Sequence, residues 1–312
     1  MYHDPSHTCI AAVGSFVPSR VVTNDELAAI VDTSDQWIVS HTGIRERRWA
    51  DEETTFDLAY KATVDLLGRY QTTIDAIVCA TATADYPGFP STASLLSEKL
   101  GVTGAAVDVS AGCTGFIYAL EIGRGMIATG TARTVLIVGS ERLSSVLDMR
   151  DRSTCVLFGD GAAAVVLTAS DQPLWLGTYI RSEASGSKSL TIDPVTKILT
   201  MEGRAVYTFA VRAIAETIDA LLEEHKLGID DIDWIVPHQA NQRIIASCAK
   251  RYGIDESKFF LNIDRYANTS AASIPLALAE MEQSALLTSG QRVILVGFGA
   301  GLTYGGVLLL WK

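Results

Sequence analysis

Cationic residues are scarce: 25 Lys and Arg stand against 36 Asp and Glu in 312 residues, a formal net charge of −11. A protein that grips nucleic acid without sequence preference needs a broad basic surface to displace counterions. That class is excluded, and any anionic partner must be met by a local patch. Cysteine is also sparse, at positions 9, 79, 113, 155 and 248, an odd set with no Cys-x-x-Cys pair. Neither a disulfide framework nor a zinc cluster follows from such spacing. No Gly-x-Gly-x-x-Gly opens a helix and no P-loop Gly-Lys-Ser/Thr is present, so the usual nucleotide-binding motifs are missing. Met1 to Pro5 carries no cationic segment leading into an apolar run. A secretory signal is therefore not expected, and a reducing, cytoplasmic setting is. One uncharged stretch, the 19 residues Val293 to Trp311, has the length of a membrane span but holds glycines at 297, 299, 301, 305 and 306. Those would be costly in a lone helix, so it reads as strand, glycine loop and strand, with no membrane partner.

What is present is ample core material, with 48% hydrophobic residues. The length suits two domains or one large one. Apolar strands are expected at Ala76–Ala80, Ala105–Val109, Thr134–Gly139, Ala162–Leu167, Trp234–Val236, Arg292–Val296 and Gly306–Trp311. They are continuous rather than alternating runs, as in strands covered on both faces. Helices are expected at Asp57–Tyr70, Thr92–Leu100, Phe116–Thr129, Ala205–His225, Gln242–Tyr252 and Ser273–Leu287. The alternation predicts an α/β protein with mainly parallel pairing.

The chain also repeats itself. Ile74-Asp75-Ala76-Ile77-Val78 returns as Ile232-Asp233-Trp234-Ile235-Val236, 158 residues later. At the same offset Arg133–Gly139 returns as Gln291–Gly297, and a glycine-rich hairpin follows both copies. A duplication is expected, with residues 1–170 forming one half and 171–312 the other. Ligands of parallel α/β sheets sit beyond the carboxyl ends of the strands, so polar residues just after equivalent strands become candidates.

Three such residues stand out. Cys113 lies in Ser110-Ala111-Gly112-Cys113-Thr114-Gly115, a small-residue elbow between strand and helix. A thiol at a helix N-terminus meets free N–H groups and the positive dipole end, which favour thiolate. A buried structural cysteine is the other reading. His238, in Pro237-His238-Gln239-Ala240-Asn241, follows the repeated strand; elsewhere it would be an ordinary core histidine. Asn268, in Asn268-Thr269-Ser270-Ala271-Ala272-Ser273, opens the helix matching that of Cys113. An ordinary N-cap would account for it equally. Together the three could converge on one carbonyl.

With these strings in view, the chain resembles the thiolase-fold condensing enzymes, most closely the β-ketoacyl-acyl-carrier-protein synthase III family. Asp32–Ile38, Thr42–Arg47, Phe158–Gly161, His238–Asn241 and Asn268–Ser273 carry the resemblance in family order. It implies a duplicated, five-layered αβαβα thiolase-like fold and a homodimer. It also implies an acyltransferase without cofactor or metal that condenses an acyl-CoA with malonyl-carrier protein. Cys113 would take the acyl group, and His238 with Asn268 would face the malonyl thioester oxygen. Backbone N–H groups of Cys113 and Ala300 would hold the acyl oxyanion. The CoA contacts carry over to Thr33, Trp37, Arg152, Gly203, Asn241 and Arg243, with Trp37 and Arg152 stacking on adenine. Phe89 and Phe158 match acyl-pocket positions, and Phe89 would favour acetyl or propionyl primers.

Two positions depart from the family pattern. His41 replaces an arginine that often precedes Thr-Gly-Ile-Arg, and Thr208 replaces a lysine of the carrier-docking rim. Arg204, Arg212, Arg243 and Lys250 are the cations left to receive the carrier. The nearest alternative is a same-fold acyltransferase or condensing enzyme of secondary metabolism with another acceptor. Thiolases would show a second cysteine after Cys248, and elongating synthases a histidine at Asn268; neither is present.

Overall fold

The architecture rests on two mixed sheets, seen in a computed structural model that describes residues 4–312. In the first, Thr8–Phe16 pairs with Asp160–Ala169, then come Thr134–Arg142, Ala76–Ala80 and Ala106–Val109. In the second the order is Trp234–Pro237, Arg292–Gly299, Thr303–Leu310 and Trp175–Ser182. The repeat of the sequence is a repeat of register: Ala76 sits opposite Val135, and Trp234 sits opposite Val293. Each sheet then adds a returning antiparallel strand and an antiparallel edge strand.

Pairing is therefore mixed, not mainly parallel. Arg292–Gly299 and Thr303–Leu310 are joined by only three residues, and so short a connection can make only an antiparallel pair. The edge strands Thr8–Phe16 and Trp175–Ser182 were not among the expected elements. Each carries polar or small residues that break up the continuous apolar run by which the others were recognised.

Five layers result. Helix Thr55–Arg69, with Thr92–Leu100 beside it, covers the outer face of the first sheet. Helices Gly115–Ala128 and Ser273–Gln283 lie between the sheets, and Gly203–His225 with Gln242–Tyr252 covers the second. Along one strand the division is visible residue by residue. Val135 and Ile137 face the central core with Phe116, Leu120, Ile274 and Leu295, whereas Leu136 and Val138 face the outer layer with Leu66 and Leu96. Burial on both faces explains the unbroken hydrophobic runs.

The helix starts are specified locally. Thr54 caps its helix through the Asp57 N–H, and the Asp57 carboxylate accepts the Thr54 N–H in return. Such a reciprocal box satisfies two N–H groups that a helix leaves open. The last helix stops at Gln283 rather than Leu287, and the chain turns at Ala285 with φ of 54°.

Candidate active site

The elbow at Cys113 is built from a single 3₁₀ turn, Gly112–Thr114, which precedes the helix proper at Gly115. Gly112 holds φ of +51°, and a Cβ there would lie 2.9 Å from the Ala300 Cβ. Only glycine suits both demands. The loop after Arg292–Gly299 locks against this turn: the Thr303 hydroxyl donates to the Ala300 carbonyl at 2.9 Å, and the Thr114 hydroxyl donates to the Thr303 carbonyl at 2.9 Å.

His238 follows its strand, and its own N–H donates to the Val296 carbonyl at 2.7 Å. The ring is 1% exposed, stands edge-on to Phe298 with centroids 5.0 Å apart, and places Nδ1 2.7 Å from Ser273 Oγ. Asn268 is fastened by its backbone to Leu157 and Gly159 at 2.9 and 3.0 Å. Its Oδ1 accepts the Ser270 N–H at 2.8 Å, so the side-chain oxygen is occupied and Nδ2 is the atom left for a ligand.

All three side chains line one narrow cavity of about 90 Å³, together with Phe158, Gly203, Asn241 and Phe298. Cys113 and Phe158 also line a second cavity of about 260 Å³ with Ser110, Ser270, Leu199 and Ala300. The sulfur thus stands where two cavities meet, one walled by His238 and Asn268 and the other largely by apolar side chains such as Leu143, Leu190 and Leu199. A thioester can lie on one side with its acyl chain on the other.

Electrostatics here differ from the expectation of a thiolate held by the helix end. Burial pushes the Cys113 thiol up to about 11, although the Ser270 hydroxyl and the N–H groups of Ala300 and Cys113 favour the ionised form. The cysteine is only 6% exposed and sits ahead of the helix rather than in it. Lost hydration outweighs those N–H groups, and the resting Cys113 side chain is a thiol. Burial likewise takes His238 down to about 3, a neutral imidazole. Glu141 is a further carboxyl near the sulfur, fully buried, held by Thr83 Oγ1 at 2.7 Å and by the Ala82 N–H. Burial raises its pKa, and its charge adds to the rise at Cys113.

The remaining expected residues fall into groups. Asn241 both caps Gln242–Tyr252 and donates Nδ2 to the His41 carbonyl at 3.0 Å. His41 stacks on Trp37 with centroids 4.4 Å apart, and Arg152 covers that indole with its guanidinium carbon 5.0 Å from the ring centre. Trp37 and Arg152 are thus adjacent but closed: no ring fits between them until Arg152 leaves the Asp32 carbonyl it donates to at 2.7 Å. Thr33 presents a buried Oγ1 with no hydrogen-bond partner among the described residues. Arg204, Arg243 and Lys250 are exposed and make no ion pair among the described residues. Arg212, also exposed, is paired with Glu183 and, at 3.4 Å, with Glu216. Phe89 is 91% exposed and lines neither cavity of its own chain.

Residues 107–184 match the family model described as 3-oxoacyl-[acyl-carrier-protein (ACP)] synthase III, and 222–311 match the model of its C-terminal part. A relative from Clostridium acetobutylicum, named β-ketoacyl-[acyl-carrier-protein] synthase III, is 43% identical over 97% of this chain and 98% of its own. Another of that name from Xanthomonas campestris is 45% identical over 96% of this chain and 97% of its own. This chain belongs to the 3-oxoacyl-[acyl-carrier-protein] synthase III family. The crystal structure of 3-oxoacyl-[acyl-carrier-protein] synthase III from Aquifex aeolicus superposes with a TM-score of 0.94 at 42% identity, covering 97% of this chain and all of that one. The fold is accordingly the duplicated thiolase-like one of the synthase III family, and the protein is a condensing acyltransferase.

Sequence reasoning passed over several residues of the site. Ser270 and Ser273 lie inside the string that marks Asn268, where serine is equally at home in an ordinary helix start. Leu190 and Leu199 come from a small hairpin, Leu190–Ile192 with Leu199–Met201, whose short strands gave no signal.

Proposed function

We propose that the protein performs the decarboxylative condensation of a short acyl-CoA, acetyl-CoA foremost, with malonyl-acyl carrier protein. The product would be the β-ketoacyl-carrier protein that initiates fatty acid synthesis. One observation carries this reading: a cysteine, a neutral histidine and an oriented asparagine amide share one cavity in a chain of this family.

In the first half-reaction Cys113 attacks the acyl-CoA carbonyl, and the sulfur gives up its proton as CoA leaves as the thiol. Sulfur suits this step because it is nucleophile in one half-reaction and leaving group in the next. The Ala300 and Cys113 N–H groups lie by the sulfur and would hold the tetrahedral oxyanion. Donors set before charge develops are the strongest contributors to such steps. In the second half-reaction the malonyl thioester oxygen faces the Asn268 amide and the His238 ring. Charge builds on that oxygen as carbon dioxide leaves. The carbanion then attacks the acyl-Cys113 carbonyl, and the sulfur departs and recovers a proton.

CoA recognition is assigned to Thr33, Trp37, Arg152, Gly203, Asn241 and Arg243, and the carrier rim to Arg204, Arg212, Arg243 and Lys250. The reading takes residues 1–170 and 171–312 as the two halves, with the site between them. The exposed Phe89 and half-exposed Tyr86 support a homodimer in which Phe89 closes the partner's acyl pocket. Five free, buried cysteines suit a reducing cytoplasm.

Mixing the pure protein with acetyl-CoA and measuring its mass tests the assignment. An acetyl adduct is expected on Cys113 and absent from Cys113→Ala. Labelling elsewhere, or none, would overturn the reading.

A further inference from the structure

The start of one helix controls both polar groups that face the thioester oxygen. Ser270 contributes its N–H to Asn268 Oδ1 at 2.8 Å, and this turns the asparagine NH₂ toward the cavity. Ser273, three residues on, is the counterpart for the histidine. Its Oγ lies 2.7 Å from His238 Nδ1, 2.8 Å from the Ser270 carbonyl oxygen and 3.4 Å from the Gln239 N. No other hydrogen-bond partner of Nδ1 is present among the described residues.

A neutral imidazole carries one N–H, and which nitrogen has it follows from what the other one meets. For His238 to donate from Nε2 into the cavity, Nδ1 must present a lone pair, and a buried lone pair requires a donor. Only the Ser273 hydroxyl can supply one. The Gln239 N–H can only donate, so it takes a lone pair of Oγ. The Ser270 carbonyl already accepts the backbone N–H of Ser273. The single hydroxyl proton thus has two acceptors in reach, that carbonyl at 2.8 Å and Nδ1 at 2.7 Å; the carbonyl already holds one N–H, whereas Nδ1 has no other donor, and the proton is assigned to Nδ1. A second constraint comes from Phe298, which stands edge-on to the ring and limits its rotation.

We infer that Ser273 is a positioning residue for the condensation step: its hydroxyl donates to His238 Nδ1 and thereby holds the imidazole as the Nε2–H donor to the malonyl thioester oxygen. This rests on the proposed function for its consequence, though not for the tautomer itself. The role is confined to the second half-reaction, since Cys113 acylation draws on the backbone N–H groups of Ala300 and Cys113. Removing the hydroxyl therefore separates the two half-reactions, which a general loss of packing would not do.

Two measurements test it. In the resting protein with ¹⁵N-labelled histidine, His238 should show a protonated Nε2 and a hydrogen-bonded, unprotonated Nδ1. In Ser273→Ala the Nδ1 resonance should move to that of an unbonded ring nitrogen. Malonyl-dependent condensation should fall about tenfold in kcat, the equivalent of about 1.4 kcal/mol and of one hydrogen bond. Its KM should change little, and acetyl-Cys113 formation should fall far less than condensation. Ser273→Thr keeps the hydroxyl and should restore most of the condensation rate. A protonated Nδ1 in the wild-type protein overturns the inference, as does an equal loss of both half-reactions in Ser273→Ala. Absence of any acyl-Cys113 in the wild type would instead remove the functional reading and leave the tautomer assignment standing.

Discussion

A Cβ on Gly299 would lie 2.7 Å from the Cys113 Cβ and 3.0 Å from its sulfur, closer than real side-chain atoms approach. The Cys113 thiol is thus seated on the bare backbone of a neighbouring strand, and its position depends on that strand end. Gly299→Ala should lower stability by about 1–3 kcal/mol, the usual cost of overpacking a filled core. Urea denaturation would measure this, and the acetylation rate of Cys113 should fall alongside. His238 bears on pH. Its folded pKa of about 3 lies below the ordinary histidine value, so the unfolded chain binds the extra proton first. That part of the stability is complete above the unfolded value of about 6.5 and is lost progressively as pH falls toward 3. In His238→Gln the melting temperature should depend less on pH between about 4 and 6.5 than in wild type, followed by calorimetry. At this scale the residues were legible as types in places: a thiol in a small-residue elbow, a histidine after a strand. Their protonation was not, because burial decides it. Cys113 was expected to lean toward thiolate from its neighbours in sequence, and desolvation reversed that.

Among the elements, the central strands and the long helices were legible because each carries its own period or unbroken apolar run. The bounds of Ala76–Ala80, Thr92–Leu100 and Gln242–Tyr252 agree between sequence and structure. The edge strands and the hairpin at 190–201 escaped notice because their pairing, rather than their composition, makes them strands. Caps show where sequence acts locally. Thr54→Ala removes one side of a reciprocal box and should cost about 1 kcal/mol, readable as a shift of the urea midpoint without loss of acetyl transfer. Asn241 combines two tasks on one side chain, since Oδ1 caps its helix while Nδ2 holds the His41 carbonyl. Helix geometry and the placement of Trp37 are coupled through it.

On the scale of the molecule, the charge of −11 sets the problem of greeting an acidic carrier. The two helices covering the second sheet, Gly203–His225 and Gln242–Tyr252, pack together, and the Tyr207 hydroxyl reaches Ser247 Oγ at 3.2 Å. Arg204 and Arg243 lie on this pair, exposed and without carboxylate partners among the described residues. Arg212 is exposed too but paired with Glu216 one turn on and with Glu183, and the second pair no sequence spacing could show, since Glu183 is 29 residues away. Reversing both charges, Arg204→Glu with Arg243→Glu, should raise KM for malonyl-carrier protein about tenfold, through slower association more than weaker packing. Condensation kinetics at several salt concentrations would measure it, with the wild type losing more of its advantage as salt screens the rim.

The sequence alone determined the α/β class, the duplication and the three candidate side chains, because hydrophobic period, repeat offset and residue chemistry are properties of the chain in order; the layered fold itself it carried only through family resemblance. Only the tertiary structure decided which of those side chains share a cavity, which arginine is paired, and which protons they carry. Those outcomes depend on distances between residues far apart in the chain and on how much water is removed around each, as at Cys113 and His238.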